Sequence, residues 1–327
     1  MDESDKRPDR DRRIALDARD WIVRLASGNA SEADLRAFKT WRDAAPEHGR
    51  AFERERRFWQ ELQILEGAVA RPLVQPDPRP AISRRGFVAG GALAAAAAGI
   101  VVMPRLERLW RADFATAVGE QKEIALLDGS IATLNTDSAI SVDFGPDLRL
   151  VRLLGGEAAF RVKPGAATPF RVASLGGNSD ALDAQFSVSA LDGVATVTVA
   201  GGRARVSAPA APDEVSRPDV AFVEVNGDEQ TRYAEGQRPL PAMAVDSGAL
   251  LAWRSGRVIF EGRSFSSAVA ELGRYVPERI VVAPGVASDL PVSAIFSTRE
   301  AMAAVQALAK TQGRTARRIP GVAIIIA

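Results

Sequence analysis

The sequence predicts a multidomain chain: a small all-α three-helix bundle, one transmembrane helix, an all-β domain and a C-terminal α+β unit of order βαββαβ. Three observations predict it. Apolar residues recur at helical spacing over the first 70 positions. One charge-free segment, Phe87 to Met103, stands directly behind two arginines. Beyond Ala117 the pattern changes to short alternating runs broken by Asp-Gly and Gly-Gly pairs.

A chain of 327 residues exceeds one ordinary domain. The 42 basic and 41 acidic side chains nearly cancel, so the charge balance does not point to direct nucleic-acid binding. The absence of cysteine excludes disulfides, thiol nucleophiles and Cys-based zinc sites, and leaves the redox compartment open. A single histidine, His48, excludes a His-rich metal site. No cofactor, metal or catalytic residue is expected.

Residues 1–13 are densely charged and read as a disordered lead. From there to residue 70 the pattern is helical. Ile14, Ala18, Trp21 and Leu25 share one face, and Gly28 ends that helix. Ser31 with Asp34 resembles a capping box, followed by Leu35, Phe38 and Trp41 on one stripe. Pro46 suits the first turn of a third helix carrying Phe52, Trp59, Leu62 and Val69. Residues 71–85 form a proline-rich linker, through Pro72, Pro76, Pro78 and Pro80, that ends in the twin arginine.

The segment 86–104 is then read as a membrane crossing. Phe87 to Met103 spans roughly 26 Å at about 1.5 Å per residue, near the lower limit for a hydrocarbon core of about 30 Å. A buried alanine-rich core helix and a cleavable signal peptide compete with that reading. The missing charge, the basic flank and the proline linker oppose the first; the folded module ahead of the segment opposes the second. Ser83, Arg84, Arg85 and Phe87 resemble a twin-arginine export signal, a receptor-read address. The alternative is that Arg84 and Arg85 are ordinary flanking charges, since Arg105, Arg108 and Arg111 stand on the other side. Gly86-x-x-x-Gly90 is a chance match to a helix-pairing motif in so small-residue a stretch.

Residues 117–240 read as a β domain. Strands are expected at Ala139 to Phe144, Leu148 to Leu153, Ala158 to Val162 and Val194 to Val199, and turns at Asp128-Gly129, Gly155-Gly156, Asp192-Gly193 and Gly201-Gly202. Residues 250–327 read as strand Arg257 to Phe260, helix Ser266 to Tyr275, strands Ile280 to Ala283 and Val292 to Phe296, helix Glu300 to Lys310 and strand Val322 to Ile326.

Several motifs match a known family. In the helical region they are Trp21-x-x-x-Leu25-x-Ser27-Gly28, Asp34-Leu35-x-x-Phe38-x-x-Trp41, Pro46-x-His48-x-x-Ala51-Phe52 and Trp59. In the β region they are Val118-Gly119-Glu120, Leu127-Asp128-Gly129-Ser130, Leu134-Asn135-Thr136-Asp137-Ser138, Leu154-x-Gly156-Glu157-Ala158-x-Phe160-x-Val162 and Pro169-Phe170-x-Val172. With these the chain resembles the FecR family of anti-sigma regulators, and residues 257–326 are similar to the short signalling domain of secretins and TonB-linked receptors. One departure stands out. Asp183-Ala184-Gln185-Phe186 replaces the family's Gly-Thr-x-Phe, with Gly176-Gly177 displaced upstream.

The resemblance implies a single-pass inner-membrane protein with its N-terminus cytoplasmic and its C-terminus periplasmic. The periplasmic signalling domain of a TonB-dependent outer-membrane receptor would touch its C-terminal part. The cytoplasmic bundle would then change its grip on an extracytoplasmic-function sigma factor, in iron-siderophore regulation. No enzyme activity is implied. On this reading the sigma-binding candidates are Trp21, Arg24, Leu25, Arg36, Trp41, Arg42 and Trp59, although the tryptophans equally suit core packing and the arginines a solvated face. The family-motif residues of the β domain are Asp128, Gly129, Gly156, Glu157, Phe160 and Phe170. His48 suits a packing or capping role. The two Asp-Gly pairs offer scattered carboxylates for an exported hydrolase, but turn chemistry accounts for them. A twin-arginine-exported periplasmic binding or wall-associated protein is the second functional class.

Overall fold

The computed structural model describes residues 7–26, 32–55, 108–208, 222–283 and 291–327, which fall into two compact units, 1–110 and 111–327. The expected fold class needs correction. Among the described residues no helix is long and apolar enough to cross a membrane. Helix α1 (Arg7–Ala26) has the length, but charged residues from Arg7 to Arg24 stud it. The segment Phe87 to Met103 and the export-signal residues Ser83, Arg84, Arg85 and Phe87 lie outside the described residues. The three-helix bundle is not what is seen either. The structure describes α1, α2 (Glu32–Asp43) and a helical run over 46–55, while Trp59, Leu62 and Val69 lie outside it. Nor does an all-β domain precede a separate α+β domain: residues 111–327 form one α/β unit built on a β-rich, barrel-like sheet.

In the first unit α1 starts at Arg7, so part of the charged lead is helical. Its buried stripe is Ile14, Ala18, Ile22 and Leu25, at spacings of four, four and three. Ile22 takes the place expected of Trp21, which sits half-buried at the border of the stripe. Phe38, Ala51 and Phe52 close the core.

The second unit winds twelve strands into one continuous sheet. The chain runs through β1 (Phe114–Ala115), β2 (Lys122–Ala125), β3 (Ile131–Leu134), β4 (Ala139–Phe144), β5 (Arg149–Arg161), β6 (Phe170–Ser174), β7 (Gly177–Ala181), β8 (Ala184–Leu191), β9 (Val194–Ser207), β10 (Phe222–Asn226), β11 (Glu229–Ala234) and β12 (Met243–Ala244). Two long strands make it wrap. The first half of β5 pairs with β4 and β6, its second half with β3 and β8. Strand β9 likewise changes partners, from β8 and β11 to β7 and β10. Both strands bend at their glycine pairs, Gly155-Gly156 and Gly201-Gly202, with positive φ of 83° at Gly156 and 73° at Gly202. These pairs were expected to be turns. They are instead corners inside strands, where a bulge turns the ribbon from one layer to the other. Phe160, Phe170 and Phe186 fill the enclosed core, with ring centroids 5.5 and 5.6 Å apart. The substituted segment 183–186 thus keeps its phenylalanine in the core, and Gly176 turns the β6–β7 hairpin.

The C-terminal lobe continues with β13 (Arg257–Arg263), helix α3 (Phe265–Gly273), β14 (Arg279–Val282), β15 (Val292–Ser297), helix α4 (Ala301–Thr311), β16 (Ala316–Ile319) and β17 (Ala323–Ile326). Its order is βαββαββ, one strand more than expected. The strands form two small sheets, β13–β15 and β14–β17–β16. Ser264 caps α3 by accepting from the Ser267 amide at 3.2 Å. Phe265, Leu272, Val305, Leu308, Ile324 and Ile326 make the lobe's core.

Candidate interaction sites

The helical unit carries an aromatic chain. Trp21 meets Phe38 edge-on at 5.6 Å, Phe38 lies 4.9 Å from Phe52, and Trp110 stacks on Phe52 at 4.6 Å. Trp41 reaches this chain at 6.3 Å from Phe38, and His48 stacks on its far side at 4.7 Å. His48 Nδ1 lies 2.6 Å from the Trp41 carbonyl oxygen. His48 therefore packs, as its position predicted. Phe38 and Phe52 are fully buried, whereas Trp21 and Trp41 keep part of their faces exposed.

Arginines stand on the same helices, one of them against the Trp21 ring. Arg24 lies 5.6 Å from the Trp21 ring and is paired with Asp34 at 3.1 Å. Arg42 lies 5.2 Å from the Trp110 ring and is paired with Asp43. Arg36 is exposed on the same helix as Trp41. Of the sequence-predicted set, Leu25 is wholly buried and serves the core, and Trp59 lies outside the described residues. Trp21, Arg24, Arg36, Trp41 and Arg42 remain as half-exposed or exposed side chains with a mixed aromatic and cationic chemistry.

The β-unit motifs build two polar clusters. In the first, Asp128 at the β2–β3 turn accepts from the Ser130 amide at 2.9 Å, the Ser130 hydroxyl at 2.7 Å and Arg149 Nη1 at 2.8 Å. Arg149 is buried, donates to the Thr168 carbonyl at 2.8 Å and covers the Phe170 ring at 5.7 Å. Burial alone would raise the Asp128 carboxyl, but the hydrogen bonds from Ser130 and Arg149 outweigh it and hold the group below its ordinary range. Gly129, with φ of 83°, lets the turn close under the Lys163 side chain.

The second cluster ties the sheet to the C-terminal lobe. Glu157, on the outward half of β5, accepts from Asn135 Nδ2 at 2.9 Å and from Arg274 Nη2 at 2.8 Å. Asn135 Nδ2 also reaches the Tyr275 hydroxyl at 2.9 Å, and the Thr136 hydroxyl donates to the Arg274 carbonyl at 2.9 Å. Arg274 turns its other nitrogen to Glu271 at 2.9 Å. Desolvation works against the Arg274 charge, but Glu157 and Glu271 overcome it and raise its affinity for the proton. Gly156 is required here: a Cβ would stand 2.5 Å from Ser138 Cα and 2.6 Å from the Asp137 carbonyl oxygen. Val118-Gly119-Glu120 joins in through the Gly119 amide, which donates to Thr136 Oγ1 at 2.7 Å.

Two sequence-predicted residues thus belong to the core, Phe160 and Phe170; two belong to the first cluster, Asp128 and Gly129; and two to the second, Gly156 and Glu157. Sequence reasoning missed Arg149, Arg274 and Tyr275. Nothing in the spacing of the last two reveals a partner 117 or 140 residues away. Among the described residues no group of three or more His, Cys, Asp or Glu side chains is placed to hold a metal.

Comparison with known proteins agrees with the motifs. Residues 112–205 match the FecR protein family, and residues 17–58 match the domain of unknown function DUF4880. The resemblance to the FecR family is thereby shown. Two crystal structures of a proposed anti-sigma factor from Parabacteroides distasonis ATCC 8503, at 1.65 and 2.50 Å resolution, are similar to 65% of this chain at 24% identity. They superpose with TM-scores of 0.53 and 0.52, covering 97% and 96% of those chains. At that identity the likeness speaks for the fold. No curated protein matches.

Proposed function

We propose that this FecR-family chain is an anti-sigma regulator and not an enzyme, with the helical unit as the surface that holds a sigma factor of the extracytoplasmic-function class. The observation that carries the reading is the half-exposed Trp21 and Trp41, with Arg24 against Trp21 and with Arg36 and Arg42 on the helix that carries Trp41. Aromatic and arginine side chains together are the combination that dominates binding energy at protein interfaces. The likeness to proposed anti-sigma factors supports the same reading.

The C-terminal lobe is the part that would receive a signal from a TonB-dependent receptor. Supporting this, Val281, Ile319, Ile325 and Val322 are exposed on or beside the β14–β17–β16 sheet, and β14 and β16 are its edges among the described strands. Edge strands of this kind accept an added strand from a partner.

The test uses the full chain, tagged and recovered from its source cells under native conditions, with bound proteins identified by mass spectrometry. A sigma factor should accompany the wild type. Arg24→Gln with Arg36→Gln, two exposed changes that add no charge beside Asp34, should reduce its recovery at least tenfold with an unaltered far-UV spectrum. Undiminished recovery by that variant would remove the proposed surface, and no sigma factor with the wild type would remove the function.

A further inference from the structure

A cavity of about 260 Å³ lies inside the second unit, between the outer face of the large sheet and the C-terminal lobe. Its floor follows from strand register. Glu157, Ser189 and Thr196 stand in one cross-strand row, and Ser187, Thr198 and Gln230 in the next, so alternate positions of β5, β8, β9 and β11 present hydroxyl, amide and carboxylate groups to the same side. Some of these groups satisfy one another: Gln230 Nε2 donates to Thr198 Oγ1 at 2.8 Å. The hydroxyls of Ser189 and Thr196 make no hydrogen bond among the described residues, although both line the cavity.

The wall opposite is of another kind. Leu251, Trp253 and Ile259 supply apolar surface, and Trp253 is 3% exposed, its buried indole N–H without a partner among the described residues. A buried donor of this sort is costly unless something accepts from it. At the rim, Arg257 and Arg263 are exposed and make no ion pair within 4 Å among the described residues, although the Arg263 charge acts on the Glu271 carboxyl, which also lines the cavity.

We propose that this cavity binds a compact sugar acid, a single pyranose ring carrying a carboxylate. The hydroxyl floor can both donate to and accept from ring hydroxyls, the apolar wall suits the C–H face of the ring, and the two rim arginines suit the carboxylate. The volume fits one ring, being just under the roughly 300–1,000 Å³ of sites for larger ligands. The site is lined by residues of the second unit and does not depend on the anti-sigma reading.

Calorimetric titration of the full chain with D-glucuronate tests this, with D-glucose lacking the charge and acetate lacking the ring. Glucuronate should bind, glucose at least fivefold more weakly, and acetate not measurably. Ser189→Ala with Thr196→Val should weaken glucuronate binding about tenfold, the loss of one or two hydrogen bonds. Arg263→Gln should abolish the preference for glucuronate over glucose. All variants should melt within two degrees of the wild type in the absence of ligand. No binding of glucuronate or glucose at millimolar concentration, binding of acetate as strong as glucuronate, or unchanged binding by the double variant would each overturn the proposal.

Discussion

Two polar clusters built from the same family's motifs do different work. The Asp128–Ser130–Arg149 cluster lies within the large sheet and joins residues at most 33 apart along the chain, as the Lys163 amide reaching Ser130 shows. The Asn135–Glu157–Arg274–Tyr275 cluster spans 117 to 140 residues and fastens the C-terminal lobe to that sheet. Both bury an arginine against a carboxylate at 2.8 Å. The difference is topological: the first fixes a hairpin to the strands behind it, the second ties the C-terminal lobe to the sheet. A signature motif can therefore be a socket for another part of its own chain.

Breaking the junction should have the larger effect. Glu157→Ala removes the acceptor of both Asn135 and Arg274 and leaves the arginine with only Glu271. Removing one partner of a buried pair costs about 3–5 kcal/mol, read as a drop in the urea midpoint. Hydrogen exchange should quicken in 265–327 far more than in β4 to β6. Uniform quickening through the unit would mean that sheet and lobe unfold as one and the junction is no boundary. Asp128→Ala comes next, at about 2 kcal/mol, because Arg149 keeps the Thr168 carbonyl. Its exchange should rise around the β2–β3 hairpin and leave the lobe protected. The reverse pattern in the two variants would undo the comparison.

The first cluster was half legible in the sequence and the second was not. Asp128-Gly129 advertises a turn, and the turn is there. Gly155-Gly156 advertises one too, yet the pair bends β5 without ending it, because Gly156 makes the close approach to Ser138 that brings Glu157 toward the lobe. A glycine pair signals an unusual backbone without saying whether it is a loop or a bend. Strand β16 escaped because Arg317 and Arg318 give it no apolar alternation; it forms by pairing with the Ile-rich β17. Trp21 misled in a milder way, one position off the centre of a stripe that Ile22 occupies. Arg274 and Tyr275 follow a helix end and resemble any polar exit, so their role is visible only once the lobe is placed on the sheet.

Acidity sharpens the contrast with the smallest effect. Asp128 titrates below its ordinary range, so the unfolded chain takes up that proton first as pH falls. Its contribution is present in full above the ordinary carboxylate value and is lost as pH falls through the lowered one. Glu271, beside Arg274, is pushed up by burial against the pull of the arginine. Its contribution runs the other way, complete below the ordinary value and lost as pH rises through the raised one. The stability gap between the wild type and Asp128→Asn should therefore be constant above about pH 5 and shrink on acidification. Measured the same way, Glu271→Gln should gain on the wild type as pH rises toward neutrality. If both gaps moved in the same direction with pH, the two clusters would share one electrostatic character.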